Sequence, residues 1–102
     1  MTQIIAMYDA ANLRKADLPE ELNFLTVAVL TSYEDEEAEG GRYYHVECHF
    51  RSGITCHYWD GCASTSNISA AMQVFNDMVA VIKANEIYAT NRNQRAESVV
   101  FF

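Results

Sequence analysis

The segment from Arg42 to Trp59 constrains the fold more than any other. Apolar and polar residues alternate along Arg42 to Phe50 and again along Ile54 to Trp59, with Arg51-Ser52-Gly53 between them. A period of two marks a strand with one buried face, and a three-residue connection ending in glycine marks a hairpin loop whose last position is left-handed. That turn sets a register. Phe50 then faces Ile54, Cys48 faces Cys56 and Val46 faces Tyr58, so one face is apolar throughout and belongs in a core. The opposite face carries His45, Glu47, His49, Thr55, His57 and Trp59.

An apolar sheet face needs a cover. Ile68, Ala71, Met72, Phe75, Met78, Val79 and Ile82 recur at helical spacing, while Ser69, Gln73, Asn76, Asp77 and Lys83 fill the other side. Asn67 or Ser66 suits the N-cap and Asn85 the stop. Asn23 to Tyr33 is rich in β-branched and aromatic residues with apolar side chains on both faces, which predicts a strand inside the sheet. Glu34 to Gly41 (EDEEAEGG) cannot bury itself and predicts a mobile loop joining two strands.

The remaining segments are less decisive. Asp17-Leu18-Pro19-Glu20 places an N-cap acid, an early proline and a capping-box glutamate in register, so Leu18 to Leu22 should form a helical turn. Met1 to Leu13 leaves strand and helix both open. The tail from Tyr88 to Ala96 is polar, but Val99 to Phe102 is too apolar to stay in water and should dock, either as an edge strand or on a partner, a second copy included.

The expected fold is therefore α+β: an antiparallel sheet of three to four strands with a central hairpin (42–50, 54–59) and one long amphipathic helix (68–84) packed on one face. At 102 residues the chain has room for one core, so residues 1–102 should form a single domain.

Charge and composition narrow the function. Fourteen acidic residues against seven basic give a net charge of −7, which repels phosphate backbones and argues against direct nucleic-acid binding. The longest apolar runs fall far short of the roughly 20 residues that cross a bilayer, so no membrane partner is expected. The N-terminus lacks the features of a secretory signal, and three cysteines are an odd number for a disulfide framework, so a cytoplasmic location with reduced thiols is expected. No nucleophile elbow, phosphate-binding glycine loop, dinucleotide fingerprint or HExxH is present, which predicts no enzyme activity and no cofactor.

What remains is binding. Closely spaced carboxylates on one loop can imitate phosphates or engage a groove lined by lysine and arginine, and tyrosine and tryptophan are favoured interface anchors. Glu34, Asp35, Glu36, Glu37, Glu39, Tyr43 and Trp59 are accordingly the expected partner-binding residues, and the partner a protein with a basic surface. The expected function is a non-enzymatic protein-binding module, of the small acidic kind that a phage or other mobile element uses to inhibit or redirect a host nucleic-acid enzyme. Two alternatives stand beside it. One is an assembly protein forming a homodimer through the C-terminal segment. The other is a metal-binding protein using His45, Glu47, His49 and His57 on the outer hairpin face, where ordinary cross-strand pairing of Glu47 with His57 is the simpler expectation.

Overall fold

The computed structural model describes residues 2–15, 18, 19, 22–57 and 66–98, with side chains described as far as Asn91. It is an α+β fold built on a four-stranded antiparallel sheet in the order β1-β2-β3-β4. The elements are β1 (Thr2–Asp9), α1 (Ala11–Arg14), β2 (Leu25–Glu34), β3 (Arg42–Phe50), β4 (Thr55–His57) and α2 (Ile68–Ser98), with a single 3₁₀ turn at Glu39–Gly41. The open N-terminal question resolves as a strand followed by one helical turn.

The hairpin forms in the expected register. Phe50 N–H donates to Ile54 O at 2.9 Å, Gly53 N–H donates to Phe50 O at 2.9 Å, and Gly53 sits at φ 90°. Cys48 pairs with Cys56 and Glu47 with His57. Within the described residues β3 lies inside the sheet and β4, described over Thr55–His57, is the last strand in the order. The expected pairing of Val46 with Tyr58 lies outside the described residues, as does Trp59.

α2 lies over β2 and β3 on one side of the sheet. Ala71, Phe75, Ile82 and Ala89 are its buried positions, at steps that keep returning to one stripe, and they meet Ala28, Leu30, Val46 and Cys48. Each large side chain buried here, such as Leu30, Ile82 or Val46, contributes roughly 1.5–3 kcal/mol. Asn67 caps the helix, its Oδ1 accepting the Ala70 N–H at 3.1 Å. Ile68, expected in the core, is 46% exposed because it sits in the first turn, ahead of the stripe.

The helix does not stop at Asn85 but runs on to Ser98. Two causes are visible. Asn85 faces the sheet and its Nδ2 donates to Leu25 O at 3.3 Å, at the irregularity in the β2–β3 register, so its polar side chain has a partner without breaking the helix. Beyond it no glycine or proline occurs to terminate the helix. The polar tail through Ser98 is therefore helical, and the Val99 to Phe102 expectation lies outside the described residues.

β1 is tied to the helix by its inner face. Tyr8 donates a hydrogen bond to Glu86, and the Lys83 ammonium lies 5.5 Å from the Tyr8 ring centroid. The Glu86 carboxylate that accepts this proton, together with burial, holds the Tyr8 pKa above the ordinary phenol value.

The segment after α1 is pinned by the hairpin loop. Arg51 donates to the carbonyls of Leu18, Pro19 and Leu22 at 3.2, 3.3 and 2.9 Å, and Asn23 Oδ1 accepts the Ser52 N–H at 2.9 Å. Leu22 N–H closes a turn on Pro19 O at 3.0 Å, while Asp17 and Glu20 of the expected capping box lie outside the described residues. Among the described residues no helix is long and apolar enough to cross a membrane.

Arg51→Met keeps the aliphatic stem and removes these charge-assisted bonds. It should lower unfolding free energy by about 1.5–3 kcal/mol, read from urea midpoints, and Arg51→Lys should not restore it, because an ammonium lacks the fork that reaches several carbonyls at once.

Candidate partner-binding surface

The acidic loop is built by two residue types, aspartate and glycine. Glu34 ends β2 and lies opposite Arg42, which begins β3. Asp35 closes the turn between them: its N–H donates to Gly41 O at 3.0 Å, its carbonyl accepts Ala38 N–H at 3.1 Å, and its Oδ1 accepts Glu37 N–H at 2.9 Å. Gly41 N–H donates to Ala38 O at 2.9 Å, and Gly40 and Gly41 both take φ 78°, which other residues avoid. Ala38 is buried beneath.

The segment joins the two strands as expected, and its backbone forms a hydrogen-bonded turn over the buried Ala38, from which the carboxylates project. Arg42 engages Glu34 at 3.4 Å and also donates to Ser32 Oγ at 2.9 Å. Among the described residues no ion pair engages Glu36, Glu37 or Glu39, and all three are exposed.

One rung further into the sheet, Tyr33 lies directly opposite Tyr43, their rings 5.6 Å apart and tilted by 40°. The structure thus gathers Glu34, Asp35, Glu36, Glu37, Glu39 and Tyr43 at one end of the sheet. Trp59 is outside the described residues. Tyr33 was missed from the sequence, although its pairing is legible: once Glu34 and Arg42 flank the loop, the next rung must be Tyr33 and Tyr43.

The histidines occupy the outer face, away from α2. His45 Nε2 lies 2.5 Å from His57 Nδ1, with the rings edge-on at 4.6 Å between centroids. His49 Nε2 lies 3.6 Å from Glu47 Oε2, and its Nδ1 lies 3.3 Å from Thr55 Oγ1. Glu47 is opposite His57 in register, yet it reaches along its own strand to His49 because the His57 ring turns to His45. The four residues therefore form two separate pairs, and among the described residues no group of three His, Cys, Asp or Glu side chains is arranged to hold a metal ion.

The His45 and His57 rings share one hydrogen bond only when one of them offers a lone pair. Burial first, and then the neighbouring His57, hold the His45 pKa below the ordinary imidazole value, against a smaller opposing pull from Glu47. The buried Cys48 thiol is pushed up to about 12, by burial first and then by Cys56 and Glu47. Both described cysteines are free thiols, and Cys56 is only half-buried, while Cys62 lies outside the described residues.

The centre of the outer face is apolar. Val27 and Val29 of β2 stand between His49 and Glu47 on one side and Asp9 and Met7 on the other. No described element covers this face.

Two outcomes follow from the titrating groups. A lowered His45 pKa means that the unfolded chain binds the proton more readily. The fold should then be most stable above about pH 6.5 and lose stability as pH falls from there towards the lower native pKa. His45→Gln should shrink the drop in urea midpoint between pH 7.5 and 5.5 relative to the parent chain. For the thiols, a small alkylating reagent at pH 8 should label Cys56 well before Cys48, as read by peptide mass spectrometry.

Comparison with protein-family models, with curated proteins and with solved structures found no match to this chain.

Proposed function

We propose that this chain is a non-enzymatic protein-binding module that presents the acidic, tyrosine-flanked end of its sheet to a partner with a basic surface. The observation that carries this reading is the folded Asp35–Gly41 turn. It holds the exposed carboxylates of Glu36, Glu37 and Glu39 beside the Tyr33–Tyr43 pair.

The physical case has three parts. A loop that is already ordered loses little conformational freedom on binding, so more of its interaction energy appears as affinity. Carboxylates outside internal ion pairs are available to arginine and lysine, and a net charge of −7 steers a basic partner in from solution. Tyrosines at the margin supply rigid contact area of the kind found in interface hot spots. The partner class these features fit is a nucleic-acid-handling enzyme, whose own substrate groove is basic. A phage or other mobile element encoding such a module would use it to occupy that groove.

The test separates binding from folding by leaving Asp35 and Glu34 in place, since Asp35 builds the turn. The full chain and its Glu36→Gln/Glu37→Gln/Glu39→Gln variant are used to capture partners from host lysate at low and high salt. A partner bound by the parent chain at low salt should be weakened about tenfold or more in the variant, equivalent to roughly 1.4 kcal/mol, and released by salt. Tyr43→Ala should weaken it further. Capture insensitive to both the charges and the salt refutes the acidic-end reading.

A further inference from the structure

The hairpin sets two nucleophilic side chains directly opposite each other, Cys48 of β3 and Cys56 of β4. The turn fixes the kind of rung they occupy. Phe50 N–H donates to Ile54 O at 2.9 Å, so Phe50 and Ile54 form a hydrogen-bonded pair, and two residues further along the ladder Cys48 and Cys56 form the next pair of that kind. Directly opposed residues project to the same face, so both thiols lie on the side that carries the core.

The spacing suits a bond between them. The Cα atoms of a hydrogen-bonded antiparallel pair stand about 5.5 Å apart, a common separation across a disulfide. Their Cβ atoms stand about 4.5–5.5 Å apart where a disulfide spans about 3.5–4.5 Å, so closing the bond draws the strands together by about 1 Å. A bond closed under that strain is more easily reduced than a relaxed one. The electrostatics register the same proximity: Cys56 adds to burial in holding the Cys48 thiol protonated.

The two thiols differ in access. Cys48 is buried in the core cluster beneath α2, whereas Cys56 is half-buried. An oxidant from solution therefore reaches Cys56 first, with the Cys48 sulfur opposite it.

We infer that Cys48 and Cys56 are a redox pair, closed into a cross-strand disulfide by a hydroperoxide and reopened by a dithiol. The Cys56 thiolate attacks the terminal peroxide oxygen: an S–O bond forms, the O–O bond breaks, and the departing alkoxide takes up the proton that Cys56 gave up. Cys48 sulfur then attacks the Cys56 sulfenic acid, and the Cys48 proton leaves with the sulfenic hydroxyl as water. Two thiols and one hydroperoxide thus give one disulfide, one alcohol and one water, the sulfurs losing the two electrons that the peroxide gains. The bond ties β4 to β3 and leaves the Asp35–Gly41 turn as it is, so the inference stands apart from the acidic-end reading.

The test uses the full-length folded chain, treated with hydrogen peroxide, quenched with an alkylating reagent and digested without reductant. Trypsin cuts after Arg51 and chymotrypsin after Trp59, which leaves Cys48, Cys56 and Cys62 on three separate peptides. The expected product has the mass of one chain less two hydrogens, with its Cys48 and Cys56 peptides joined and Cys62 alkylated, and dithiothreitol should separate the joined pair. Cys56→Ser should lower the oxidised fraction of Cys48 about tenfold or more, because the buried thiol then has no sulfur opposite it.

A bridge from either residue to Cys62 or to a second chain in place of the Cys48–Cys56 link overturns the inference. So does Cys56 carried to the sulfinic acid while Cys48 stays free, and so do thiols that all remain free under peroxide that fully oxidises glutathione. The parent digest decides the matter whatever the variant does.

Discussion

The fold depends on one contact: the Ala71, Phe75, Ile82 and Ala89 stripe of α2 set against Ala28, Leu30, Val46 and Cys48 of the two inner strands. Small residues on both sides let helix and sheet approach closely, and the branched and aromatic ones between them supply the apolar area. Because that contact uses one face of the sheet only, everything else in the molecule follows as a boundary condition. β2 is covered on one side by the helix and flanked by β1 and β3, which explains why it is the most buried strand although no described element lies over its outer face. The polar groups drawn into this region are matched locally: Thr26 Oγ1 donates to His49 O, and Ser32 Oγ accepts from Arg42. Among the described residues no buried side-chain nitrogen or oxygen is left without a partner.

The parts of this arrangement that were legible in the sequence are those set by period and turn chemistry. The Arg51-Ser52-Gly53 loop fixes which residues of β3 and β4 face one another, and the 3.6-residue spacing fixes which side of α2 is buried. The less legible parts were decided by tertiary partners. Asn85 has the chemistry of a helix stop, but a free carbonyl on Leu25 satisfies it and the helix continues. Thr2 to Asp9 has no clear period because it is an edge strand with a register irregularity, so its exposed residues do not alternate cleanly. In the candidate site the residue types were visible while their pairing was not. Five acids and two glycines look like a solvated tether, and only the geometry shows Asp35 spending its side chain on Glu37 N–H. The choice of His57 for His45, in preference to Glu47, similarly depends on ring orientation, which register alone does not set.

The outer face shows how the same physics works against a metal centre and in favour of a surface. A tetrahedral ion needs ligands converging on one point, and neighbouring same-face positions on a strand stand about 7 Å apart. A cross-strand hydrogen bond of His45 with His57 and an along-strand contact of His49 with Glu47 at 3.6 Å group this set in pairs, and no three donors converge among the described residues. What is left between the pairs is apolar, Val27 and Val29, with Met7 and Ile4 beyond them. The face is a patchwork of neutral polar groups and aliphatic side chains, whereas the concentrated charge sits at the end of the sheet, on the Asp35–Gly41 turn.

The acidic end of the sheet owes its shape to the turn between the two inner strands. The loop leaves β2 and enters β3, so its hydrogen-bond geometry is fixed by Asp35, Ala38 and Gly41.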